Sequence, residues 1–218
     1  FYKMDHKSQY PEKTTKVYSN LTARSSRVKG VNEIVFFGLQ YFIKEYLIEQ
    51  WNREFFKKAK SEVINHYKRM MDYTLGKDAV SAKNLEDLHD LGYLPLRISA
   101  LPEGSRVPLK VPPVVFESSD KNFAWLTNYV ETIKSCILWG PITSATTADR
   151  YKEILTNWCN TTGGIKDLVQ WQGHDFSMRG MFGLEAACLS GAAHLLSFTG
   201  TDTIPAIEFL EKYYGANI

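Results

Sequence analysis

His174-Asp175-Phe176-Ser177-Met178-Arg179-Gly180 and, further along, Thr199-Gly200-Thr201-Asp202-Thr203 decide how this chain reads. Each stretch sets charged or aromatic side chains in a short connection that contains glycine. A helical segment rich in Gly, Ala, Ser and Cys separates the two. Both stretches lie where a strand hands over to a helix, the usual place for ligands in α/β proteins. An aromatic ring, a cation and two carboxylates so placed suit a flat, polar-edged ring lying next to an anion. The ring stacks, the arginine takes the anion, and an aspartate reads an amide or amine.

Each residue also has a plainer reading. Arg179 opens onto a helix, where a guanidinium and a helix N-terminus together hold an anion; a turn whose arginine pairs with a surface carboxylate fits equally well. Asp202 can be a helix N-cap and nothing more. His174 and Asp175 are neighbours on a strand, so they point to opposite faces and make no direct dyad. His194 lies in an apolar helix and reads as a satisfied core histidine, while His66 and His89 fall on polar helix faces.

Working outward, Val169–Gly173 and Leu196–Phe198 read as short strands, and Met181–Leu195 and Thr203–Tyr214 as helices. Upstream, Asn122–Leu138 and Ala145–Cys159 read as two helices, capped by Ser119 or Asp120 and by Thr143 or Ser144. Residues 1–30 are polar and irregular, with one strand candidate at Lys16–Thr22. From Asn32 to about Tyr73 the apolar residues recur at helical spacing (Ile34, Phe37, Tyr41; then Phe55, Val63, Tyr67, Met70), with Gly76 as a stop. Ser81 can cap a short helix that ends at Gly92. Tyr93–Leu101 alternates, Pro102-Glu103-Gly104 turns, and Arg106–Phe116 is extended but broken by prolines, which gives a small sheet. Alternating strands and helices in the second half point to an α/β or α+β architecture.

The 218 residues carry a net charge of +2, with 44% hydrophobic and 23% charged residues, the balance of a globular protein without a strong field for nucleic acid. No run is long enough to span a membrane. Cys136, Cys159 and Cys188 are odd in number and lack metal-ligand spacing, so reduced core thiols of a cytoplasmic protein are expected. There is no Walker loop, dinucleotide fingerprint or Gly-x-Ser-x-Gly elbow. The chain starts at Phe1 inside a polar stretch, so further residues are expected upstream.

Several motifs in order resemble one family: Tyr2-Lys3-x-x-His6-x-x-Gln9-Tyr10-Pro11, Lys16-Val17-Tyr18-Ser19, Phe37-Gly38-Leu39-Gln40-Tyr41, Pro102-Glu103-Gly104, Trp125-Leu126-Thr127-Asn128-x-x-Glu131-Thr132, Pro141-Ile142-Thr143-x-Ala145-Thr146, His174-Asp175-Phe176-x-x-Arg179-Gly180, Gly200-Thr201-Asp202-Thr203 and Lys212-Tyr213-Tyr214-Gly215. The series is similar to the N-terminal half of nicotinamide phosphoribosyltransferase, a type II phosphoribosyltransferase. The resemblance implies a mixed α+β region over 1–140 leading into the first part of an α/β barrel over 141–218. It implies an enzyme that joins nicotinamide to 5-phosphoribosyl 1-pyrophosphate, with Mg²⁺ accompanying the pyrophosphate and ATP as a stimulant. A homodimer with its active sites at the interface is implied too, with no nucleic acid or membrane partner.

By that resemblance Phe176 stacks on nicotinamide, Tyr2 closes the other face from the partner subunit, and Asp202 accepts from the carboxamide NH₂. Arg179 stands at the ring and phosphate site, and Arg24 contacts the phosphoribosyl pyrophosphate from the partner. Ser177-Met178 stands where the family has Gly-Tyr. The family's phosphorylatable histidine, Asp-Ser-Gly site and glycine-rich phosphate loop belong to the other half, so this chain alone is expected to be inactive, with apolar faces uncovered. A nicotinate-using relative and a truncated, non-catalytic ligand-binding or dimerising homologue are the alternatives.

Overall fold

The computed structural model describes residues 2–217. A 3-10 segment, Tyr2–Gln9, kinks at Asp5 and leads to β1 (Tyr18–Leu21) and β2 (Glu33–Val35). Helix α1 (Leu39–Tyr41) runs on through π-helical turns at Phe42–Gln50 and Asn52–Phe56. Then come α2 (Lys60–Leu75), α3 (Lys83–Leu91), β3 (Leu96–Ala100), β4 (Arg106–Pro108) and β5 (Val114–Ser118). The helices α4 (Leu126–Tyr129), α5 (Glu131–Thr162) and α6 (Val169–Gln172) precede β6 (His174–Asp175). Helix α7 (Ser177–Gly180), α8 (Leu184–His194), β7 (Gly200–Thr201) and α9 (Ile204–Tyr214) complete the order. The chain forms two compact units, each assembled from separated stretches: 1–20, 43–99 and 115–132 in the first, and 21–42, 100–114 and 133–218 in the second.

The first unit holds most of a three-stranded sheet ordered β1-β5-β3. Its core takes Leu47, Ile64, Tyr67, Met71, Leu88, Phe116 and Leu126. Burial on α2 falls on Ile64, Tyr67 and Met71, one position away from the expected Val63 and Met70 stripe. The N-terminal arm is docked. The Tyr67 hydroxyl donates to the Met4 carbonyl at 2.8 Å, Asn128 donates to the Tyr10 hydroxyl, and Lys3 pairs with Glu131. Burial next to Tyr129 and Asp5 pushes the Tyr67 hydroxyl up to about 12, so it stays a donor at neutral pH. Gly76 and Gly92 end α2 and α3 as read from the sequence, with Gly92 in the left-handed region at φ 81°.

In the second unit β2 pairs antiparallel with β4, and β6 pairs parallel with β7. The two helices expected around Pro141 are one helix of 32 residues. Proline removes an amide donor and costs a helix interior about 3 kcal/mol. Here the cost is offset by packing, because Leu138, Pro141, Ile142 and Ala145 are all buried. The expected caps lie inside the helix instead: Thr143 Oγ1 donates to the Trp139 carbonyl at 2.7 Å, and Ser144 Oγ meets Ser190 Oγ on α8 at 3.1 Å. Pro141 fits because Gly38 faces it. Gly38 has φ 102°, and a β-carbon there would lie 2.8 Å from Pro141 Cγ. Gly38→Ala is therefore expected to lower stability by about 1–3 kcal/mol, read as a lower denaturant midpoint at unchanged m-value.

Glu103 explains the Pro-Glu-Gly turn. Its carboxylate accepts from the amides of Gly38 (2.5 Å) and Gln40 (2.7 Å) at the start of α1, and from the Tyr214 hydroxyl (2.9 Å) at the end of α9. The helix start gains the anion it lacks locally. Of the three cysteines, Cys188 is buried, Cys159 half-buried and Cys136 exposed. Cys136 is thus no core thiol: its three-residue spacing sets it on the outward face with Ile133 and Trp139. The second unit also exposes Trp158, Trp171 and Phe182. Among the described residues no helix is long and apolar enough to cross a membrane.

Candidate functional site

The ladder of β6 and β7 is the platform of the site. His174 lies opposite Gly200, and Asp175 opposite Thr201. These strands begin later than the sequence pattern suggested. Val169–Gln172 is a helical turn, and Leu196–Phe198 is a turn rather than a strand. Buried apolar runs this short fit either element. Here Phe198 packs where only a glycine fits, since a β-carbon on Gly173 would meet its ring at 2.7 Å.

Alternation on β6 works as expected: His174 is exposed and Asp175 is buried. Asp175 anchors the platform. Its carboxylate accepts from the Ser177 amide at 3.2 Å, from the Ser177 hydroxyl, and from Thr201 Oγ1 at 3.0 Å. Its backbone carbonyl accepts from the Asp202 amide at 2.9 Å. Ser177 Oγ also lies 2.9 Å from Ser190 Oγ on α8, from which it accepts, and Ser190 meets Ser144 Oγ on α5 at 3.1 Å. Burial pushes the Asp175 carboxyl up, but hydrogen bonds from Ser177, Thr203 and Thr201 outweigh it and hold the group below the usual carboxylate range. Only the buried phase of the strand points to this network in the sequence.

On the exposed side the structure brings three of the five expected residues together. Phe176 follows β6 and is half exposed, so a ring face is open. Arg179 lies in the single helical turn α7, not at the start of α8, and its guanidinium carbon is 6.0 Å from the Phe176 ring centre. Asp202 follows β7. The residue that caps α9 is Thr203, so Asp202 is not the N-cap; its Oδ1 meets His174 Nε2 at 2.9 Å. Arg24 is exposed on the loop after β1. The side chain of Tyr2 lies outside what the structure describes.

His174 is the residue that sequence reasoning missed. Its sequence neighbour is Asp175, yet it pairs across the ladder with Asp202, and its ring also meets that of Phe176 at 5.0 Å. His194, expected to be a satisfied core histidine, is half-buried and stacks on Phe198 at 5.0 Å. Among the described residues no three His, Cys, Asp or Glu side chains gather as metal ligands. The described residues do not form a Mg²⁺ site by themselves. Two cavities of about 490 and 380 Å³ lie in the first unit, and none of the five expected site residues lines them.

The platform therefore offers an open aromatic face, a guanidinium beside it and a carboxylate acceptor at its edge. Residues 1–98 match the family described as nicotinamide phosphoribosyltransferase, N-terminal domain, and residues 171–214 match the nicotinate phosphoribosyltransferase (NAPRTase) family. The fold is like that of human nicotinic acid phosphoribosyltransferase, with a TM-score of 0.63 and 17% identity over 90% of this chain and 33% of that one. In class, then, the chain is similar in sequence to phosphoribosyltransferases and has an α/β fold like theirs. In particular it is similar along its whole length to the nicotinamide phosphoribosyltransferase of Acinetobacter baylyi, with 52% identity over 100% of this chain and 44% of that protein. The proteins of the same name from Xanthomonas campestris pv. campestris and Mycoplasma genitalium are 31% and 30% identical over 98% and 93% of this chain, and 43% and 48% of their own lengths. The chain thus spans less than half the length of these relatives.

Proposed function

We propose that the protein carrying this chain makes nicotinamide mononucleotide from nicotinamide and 5-phosphoribosyl 1-pyrophosphate. The observation that carries this reading is the 52% identity, over every part of the chain, to a protein named for that activity. The site supports it. In the reaction the pyridine nitrogen forms a bond to C1 of the ribose as the C1–oxygen bond to pyrophosphate breaks, and pyrophosphate leaves with the electron pair. Phe176 holds the flat ring by stacking at low entropy cost. Asp202 accepts from the carboxamide NH₂, and its charge disfavours nicotinate, whose carboxylate would meet a like charge. Arg179 lies near enough to the ring to face the phosphoribosyl anion.

The homodimer belongs to the same proposal, with Tyr2 and Arg24 of each subunit completing the site of the other. The open face of Phe176 is what such a second aromatic wall would cover. Mg²⁺ would enter with the pyrophosphate, and ATP would stimulate turnover. The experiment is product formation by the full-length protein with nicotinamide or nicotinate as the base, followed by chromatography. Nicotinamide mononucleotide is expected, with nicotinate a poor substrate and the 218-residue chain alone inactive. Equal or preferred use of nicotinate would overturn the reading in favour of the nicotinate enzymes, which the match over 171–214 keeps as the competitor.

A further inference from the structure

His174 stands opposite Gly200 in the ladder, and its ring lies across that glycine. A β-carbon at position 200 would sit 2.5 Å from His174 Nδ1 and 3.2 Å from Cε1, well inside van der Waals contact. Only glycine leaves the ring where it is. From there Nε2 reaches Asp202 Oδ1 at 2.9 Å, and the ring meets Phe176 at 5.0 Å with 51° between the planes. One imidazole therefore touches both the stacking ring and the amide-reading carboxylate. The Asp202 side chain is 60% exposed. An exposed carboxylate rotates broadly about its last torsion. A hydrogen bond from Nε2–H stops that rotation and leaves Oδ2 as a free acceptor.

We propose that His174 is the positioning residue for amide recognition, holding Asp202 and Phe176 in mutual register, with Gly200 supplying the space it needs. This rests on reading the platform as a nicotinamide pocket. In the neutral ring it requires the tautomer protonated on Nε2.

The test is equilibrium binding of nicotinamide, and separately of nicotinate, to the full-length protein by calorimetry. His174→Ala is expected to weaken nicotinamide about tenfold and to narrow its preference over nicotinate, since one bond to a charged group is lost. His174→Gln, which can still present an N–H near Nε2, should recover part of both losses; a role in folding alone would not restore the preference. Gly200→Ala should behave like His174→Ala. The double variant His174→Ala, Asp202→Ala should lose clearly less than the sum of the two single losses, because the histidine acts in large part through the aspartate. Wild-type affinity and preference in His174→Ala, alongside a large loss in Asp202→Ala, would overturn the positioning role and leave the pocket reading standing. No loss in Asp202→Ala would overturn both.

Discussion

Asp202→Ala in the full-length protein is expected to weaken nicotinamide binding ~10- to 100-fold, with little change in melting temperature. The magnitude follows from losing a charge-assisted hydrogen bond worth ~1.5–3 kcal/mol. The indifference of the fold follows from position: Asp202 is exposed, lies outside the N-cap of α9, and gives its backbone amide, not its side chain, to Asp175. Asp202→Asn separates charge from shape. An amide side chain can turn its NH₂ toward a carboxylate, so the variant should bind nicotinate better than the wild type does while losing nicotinamide affinity. Calorimetry with both bases checks this. An unchanged ratio of the two affinities in Asp202→Asn would show that the carboxylate does not read the amide.

Asp175→Ala has the largest expected effect on stability, ~2–4 kcal/mol. The change strands donors from Ser177 and Thr201 in a buried place and removes the charge they were arranged around. The pH dependence has a definite sign. The folded carboxyl lies below its ordinary value, so its contribution is complete above about pH 4 and is lost as the pH falls through the lowered folded value. Asp175→Asn, close in shape but unable to ionise, should be less stable at neutral pH and should lose less than the wild type on going from pH 5 to pH 2.5. Denaturant titrations across that range are the measurement. Parallel acid slopes in the two proteins would refute the assignment.

The sequence was most legible where a residue acts through its own local geometry. Gly76 and Gly92 end helices because their backbones leave the helical region there. Asp120 caps the turn that follows it through the Asn122 amide at 2.8 Å. The members of the site were legible as a group, since Phe176, Arg179 and Asp202 do meet on one platform. What was hidden depended on distant partners. Pro141 reads as a helix break until Gly38, far back in the chain, is seen to leave room for its ring. His174 reads as a neighbour of Asp175 until the parallel ladder sets it across from Gly200 and within reach of Asp202. The short apolar runs around Val169 and Leu196 carry no periodicity that separates a turn of helix from a strand.

The Glu103 clasp has a consequence for how the protein is born. Its carboxylate ties the start of α1 to Tyr214, and Tyr214 in turn stacks on Phe37 at 5.0 Å. Phe37 leaves the ribosome long before its lid does. At ~5–20 residues per second the interval is about 10–35 s. Through that time Phe37 and Tyr41, both buried in the finished fold, have no helix α9 to pack against. Slowing translation between Tyr41 and Tyr214 is therefore expected to lower the yield of soluble protein more than slowing it after Tyr214.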